Sequence, residues 1–219
     1  MSQPHERLIL AAHAASLPAG LSTPGFHRLP PGEILDVLAK AGLWLGPRQT
    51  LETCEDFRQI IPYIVVTDGA RIVCYERTPA GGEARLHGKL SIGLGGHIDF
   101  SDVARSNDAI DLDRTMAQSA QRELEEELRH ASGIDTDWIG LIVENDTPVA
   151  RVHIGVVAIA RIGAQAVSAA EEAIANVRLL TPEELEQEAP RLEGWSQRLL
   201  PHLDLFATRS PHAKRRAVA

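Results

Sequence analysis

The stretch Arg122-Glu-Leu-Glu-Glu-Glu-Leu128 constrains this chain more than any other part of it. Met116, Ala120, Leu124 and Leu128 recur at every fourth residue, the spacing of one buried helix face, so the segment is expected to be a helix docked by that stripe. Residues three and four apart share a face, and Glu123, Glu126 and Glu127 therefore crowd their carboxylates into one small volume beside the stripe. Crowded like charges are unfavourable unless something offsets them. A hard divalent cation does so, because such ions favour carboxylate oxygens and keep coordination places for water and phosphate oxygens. A solvated acidic face is the other reading, and the helix alone does not choose between the two.

The upstream context chooses. The chain reads Gly93-Leu-Gly-Gly-His-Ile-Asp-Phe-Ser-Asp102, a glycine-rich turn directly after an apolar run. Together the two stretches resemble the signature of the Nudix hydrolase family, G-x5-E-x7-R-E-U-x-E-E-x-G-U, where U is a bulky aliphatic residue. Gly96 serves as the opening glycine, Asp102 stands six positions on in place of the first Glu, and Arg122 to Glu127 fit R-E-U-x-E-E throughout. Two departures follow. The spacer from 103 to 121 holds 19 residues instead of seven, an insertion of 12, and Arg129-His130 replace the closing Gly and aliphatic residue.

The resemblance implies an α/β fold, the Nudix α/β/α sandwich around a mixed β-sheet, over residues 59–205, with an N-terminal extension (1–58) packing on the core and a mobile basic tail (206–219). It implies Mg²⁺ or Mn²⁺ held by Glu123, Glu126 and Glu127, with Arg122 orienting the carboxylates through a salt bridge to Asp102. Nudix enzymes often recruit a further acid from a loop outside the box. Glu171 and Glu172 are the candidates, Glu172 being carried as the fourth metal ligand, with Glu144 and Asp146 behind them. Gly95, Gly96, His97 and Arg77 are the expected substrate-binding residues. The implied reaction is hydrolysis of a phosphoanhydride bond in a nucleoside diphosphate linked to another group. The alternative is a Nudix-fold nucleotide-binding or regulatory protein that does not hydrolyse its ligand. A homodimer is expected by resemblance alone. The general base stays open between a box glutamate and an acid from the later loops.

Composition narrows the partners. A formal charge of −8 over 219 residues argues against a protein that coats a nucleic-acid polymer, and the expected ligand is a small-molecule nucleotide. Cys54 and Cys74 lack metal-ligand spacing and read as free thiols of a cytoplasmic protein. The apolar run Leu8–Leu17 is interrupted by His13 and preceded by Glu6, unlike a secretion signal, and no run approaches the ~20 apolar residues that a membrane span needs.

Along the chain, Leu8–Leu17 is expected as a short helix, 18–32 as a crossing loop, and 33–42 as a helix stopped by Gly42. Ile60–Thr67 and Arg71–Arg77 form a hairpin about Asp68-Gly69, and Lys89–Leu94 is a short strand delivering the glycine turn. The insertion 103–114 reads as an ordered polar loop, after which Asp111 or Asp113 caps the helix. Trp138–Glu144 and Pro148–Arg161 are expected strands, the second carrying His153. Ala175–Leu180 is a further strand, Thr181-Pro-Glu-Glu184 opens a helix with a capping box, and 193–205 closes the fold as a helix.

Overall fold

A computed structural model of the chain describes residues 6–81, 84–129, 134–163 and 167–207. The fold is mixed α/β, of helices and a mixed sheet. In chain order the described strands are β1 (Leu8–His13), β2 (Gly25–Arg28), β3 (Leu43–Pro47), β4 (Phe57–Thr67), β5 (Ile72–Arg77), β6 (Leu90–Ser91), β7 (Gly93–Leu94), β8 (Arg105–Ser106), β9 (Ala109–Ile110), β10 (Leu128–Arg129), β11 (Thr136–Val143), β12 (His153–Arg161), β13 (Ser168–Ala169) and β14 (Ile174–Leu180). The α-helices are α1 (Pro31–Ala41), α2 (Arg48–Leu51), α3 (Leu112–Glu127), α4 (Pro148–Arg151), α5 (Pro182–Gln187) and α6 (Gly194–Leu199). No described helix is long and apolar enough to cross a membrane.

The chain forms two compact units, one of residues 1–63, 95–122 and 137–158, the other of 64–94, 123–136 and 159–219. In the first unit the strand order is β4-β12-β11-β2, with β1 paired antiparallel to both β3 and the start of β4. Leu8–His13 is thus a strand, not the helix expected from the sequence. Its Ile9, Leu10, Ala11 and Ala12 are fully buried, and a strand covered on both faces reads as a continuous apolar run that periodicity cannot tell from a buried helix. The expected crossing loop likewise contains β2, which pairs with β11. Helix α1 follows its pattern: Pro31 sits in the first turn, Ile34, Leu38 and Ala41 face the interior, and Gly42 ends it at φ +84°.

Two further expectations in this unit are corrected. The insertion is a small exposed hairpin, β8–β9, whose turn residues Asn107 and Asp108 both take positive φ (49° and 63°), a conformation that Asn and Asp tolerate better than other side chains. The strand expected from Pro148 begins only at His153, because Thr147 accepts a hydrogen bond from the Ala150 amide (3.1 Å) and Pro148 stands at the first helical position, which starts α4 instead. Of the two cap candidates for α3, Asp111 is the one that accepts, from the Arg114 amide at 3.1 Å.

In the second unit the order is β14-β5-β4, β6 pairs with β5, and β7 pairs with β4 at Ile64 and Val65. Gly69 at φ +90° and the Asp68 carboxylate, which accepts from the amides of Ala70 and Arg71, make the expected tight turn. The capping box at Thr181 and Glu184 opens α5. The closing helix is shorter than expected. Capped by the Glu193 side chain, α6 gives way to a 3₁₀ segment, Leu200–Leu205, as Pro201 withholds a backbone donor. The stripe Met116, Ala120, Leu124 and Leu128 is buried as its spacing requires. The basic run Lys214-Arg215-Arg216 and His130 lie outside the described residues.

Candidate active site

In the first unit the glycine bend is fixed by close backbone packing. A Cβ on Gly95 would lie 1.8 Å from the Pro62 carbonyl oxygen, so no other residue fits there, and Gly96 follows half-buried. Asp102, in place of the family's glutamate, does what the spacing asked of it. Its carboxylate accepts from Arg122 Nε (2.9 Å) and Nη2 (2.8 Å), and the same guanidinium donates to the His97 carbonyl oxygen at 3.1 Å. Asp102 is 5% exposed. Burial pushes its pKa up, but the Arg122 fork and the Asp99 amide outweigh that and hold it below the usual carboxylate range.

The His97 side chain turns into the interior of the first unit. Its Nε2 lies 2.7 Å from Gln59 Oε1 and 3.3 Å from His153 Nε2, while His153 Nδ1 faces the Val149 carbonyl oxygen at 2.6 Å. With Nδ1–H donating to that carbonyl, His153 offers its Nε2 lone pair and His97 supplies the hydrogen. Burial, and then Arg48, His153 and Arg7, push the His97 pKa down to about 3, so its imidazole is neutral. Gln59 is fully buried, and its Nε2 has no hydrogen-bond partner among the described residues. The sequence offered His97 as a substrate contact and gave no sign of Gln59; their pairing, between a loop and β4, comes from the tertiary fold and is invisible in local pattern.

In the second unit, Glu123 and Glu127 are each 7% exposed, whereas Glu126 and Glu125 face outward. The Glu127 carboxyl is pushed up to about 8, first by burial and then by Glu123, Glu171 and Glu126, with Arg77 pulling the other way. Its Oε2 has no hydrogen-bond partner among the described residues. Burial and Glu126 raise Glu171 as well, again opposed by Arg77. Arg77, whose guanidinium carbon lies 5.5 Å from the centre of the Tyr75 ring, is therefore the cation of this acidic cluster.

The altered box ending explains which loop acid joins. With no closing glycine, Leu128–Arg129 leave α3 as strand β10, which pairs with β13. The Ala170 amide then donates to the Glu127 carbonyl oxygen at 2.9 Å, satisfying a helix-end acceptor and bringing Glu171 next in line. Glu171 is thus the member of the acidic pair whose charge reaches Glu126 and Glu127. Glu172 is exposed, and its backbone carbonyl accepts from Thr78 Oγ1 at 2.5 Å. Glu144 and Asp146 belong to the first unit. Among the described residues no three His, Cys, Asp or Glu side chains converge closely enough to hold a metal ion as they stand. The donor types nevertheless suit a hard cation, since they are all carboxylate and include a buried oxygen with no hydrogen-bond partner among the described residues.

No family model matches the chain. Tm1382, assigned as a Nudix hydrolase, superposes with a TM-score of 0.72 at 27% identity over 91% of this chain and 100% of its own. A Nudix hydrolase of Alicyclobacillus acidocaldarius shares the fold at a TM-score of 0.51 and 15% identity, over 67% of this chain and 90% of its own. The chain belongs to the Nudix hydrolase family. Its sequence is also 38% identical over 149 residues to Protein YmaB of Bacillus subtilis (strain 168), spanning 64% of this chain and 68% of that protein.

Proposed function

We propose that the protein is a divalent-metal-dependent hydrolase that cleaves the phosphoanhydride bond of a nucleoside diphosphate linked to another group. The observation that carries this reading is the buried carboxylate of Glu127, whose Oε2 has no hydrogen-bond partner among the described residues and which is set among the charges of Glu123, Glu126 and Glu171. Such a group is costly to ionise by itself and becomes favourable once a cation is present.

Glu123, Glu126 and Glu127 would hold Mg²⁺ or Mn²⁺, with Glu171 and Glu172 as the loop acids beside them. The bound metal would screen the diphosphate charge and lower the pKa of the attacking water. Arg122 keeps Asp102 ionised and ties the glycine bend to α3 through the His97 carbonyl. Arg77 offers positive charge beside the carboxylates. The proton released by the water goes to a carboxylate of this cluster. His97 is a poor candidate for that step, because a pKa pushed down to about 3 makes it a weak base and its ring is already committed to Gln59 and His153.

The test is a panel of nucleoside triphosphates, nucleoside-diphosphate sugars and dinucleotides incubated with Mg²⁺ or Mn²⁺. Release of a nucleoside monophosphate or inorganic phosphate, lost on chelation and in Glu126→Gln, is the expected result. Nucleotide binding without product would replace the hydrolase with the regulatory reading.

A further inference from the structure

We propose that Arg7, just ahead of β1, is a positioning residue for the active site: it latches the glycine bend through Asp99. The proposal rests on the hydrolase reading for its effect on turnover, but not for its effect on the bend. Arg7 forks onto Asp99, Nε to Oδ1 at 2.6 Å and Nη2 to Oδ2 at 2.7 Å, across 92 residues of sequence. The backbones run together at the same place, where the Leu10 amide donates to the Ile98 carbonyl oxygen (3.0 Å) and Ile9 bridges to Asp99.

Asp99 in turn governs Asp102. It caps the 3₁₀ turn Phe100–Asp102; its amide donates to Asp102 Oδ2 at 2.9 Å, and the Asp102 amide donates to the Asp99 carbonyl oxygen at 2.9 Å. Asp102 Oδ2 also receives Arg122. Thus a continuous run of charge-assisted contacts, Arg7 to Asp99 to Asp102 to Arg122, leads from the N-terminal segment to the arginine of the glutamate helix.

Exposure indicates where the effect falls. The Arg7 and Asp99 side chains are 46% and 24% exposed, and an ion pair that open to water adds little to global stability. Its product is local order at the bend, where small misplacements are amplified in rate.

The experiment compares the full chain with Arg7→Met and Arg7→Lys by amide hydrogen exchange and steady-state kinetics, using the substrate that the panel returns. In Arg7→Met the amides of Asp99 and Asp102 should exchange about tenfold faster while those of β4 are unchanged. On the same substrate kcat should fall about tenfold with KM within about twofold. Arg7→Lys, which keeps the charge but loses the fork, should recover part of both effects. Unchanged exchange at Asp99 and Asp102, or acceleration spread evenly over the chain, overturns the latch. Should the exchange respond as expected while wild type turns over nothing in the panel, the latch stands and the hydrolase reading falls.

Discussion

Helix α3 carries two electrostatic regions five residues apart, at Arg122 and Glu127, and they are opposites. At Arg122 the buried carboxylate of Asp102 is matched by a bidentate guanidinium and a backbone amide, and it remains ionised. At Glu127 the buried carboxylate faces other carboxylates, with Arg77 as the opposing cation, and its pKa climbs to about 8. The first region is complete by itself and reads as scaffold. The second keeps a buried oxygen without a hydrogen-bond partner among the described residues, which is what a site awaiting a cation requires.

The sharpest way to break this contrast is Glu126→Gln. If Glu126 serves a metal, kcat/KM should fall by roughly a thousandfold, because a bound Lewis acid contributes several kcal/mol of transition-state stabilisation. A fall below about tenfold in a Mg²⁺-supplemented assay would take the site out of the glutamates' hands.

Next in size is Arg122→Ala, which leaves Asp102 buried and unpaired and should cost about 3–5 kcal/mol in urea unfolding. Asp102→Asn, which removes the charge with the partner still present, should cost less.

The third prediction concerns pH and runs in opposite directions for the two carboxylates. The folded pKa of Glu127 lies above its ordinary 4.5, so in EDTA its contribution to stability is present below pH ~4.5 and lost as pH rises toward about 8. That of Asp102 is depressed, so its contribution is present above its unfolded pKa and lost on acidification. Thermal melts in EDTA should therefore decline from pH 5 to 8, the decline vanishing in Glu127→Gln and shrinking when Mg²⁺ is added.

The smallest effect is expected at Glu125, on the same helix but exposed. Glu125→Gln should leave stability within ~0.5 kcal/mol and turnover within about twofold. A larger loss would show that an acid outside the set whose charges raise Glu127 also serves the site.

Much of this was readable in the sequence because it rests on short-range periodicity. The α3 stripe and the Thr181 capping box follow from fixed spacings, and the Asp102–Arg122 pair from the resemblance to the Nudix signature. What escaped depends on long-range register. Leu8–His13 was misread because an apolar run buried on both faces carries no period, and Glu171 could not be separated from Glu172 until β10 paired with β13. Gln59 was invisible for the same reason, since only the fold brings it to His97.

The hairpin Arg105–Ile110 has a practical consequence. Its tip, Asn107-Asp108, is fully exposed and connected by a two-residue turn, so a fluorophore or affinity peptide spliced between those residues would emerge directly into solvent. The interruption that sets this box apart from the family signature thus doubles as a built-in handle, one that can be lengthened at an exposed turn.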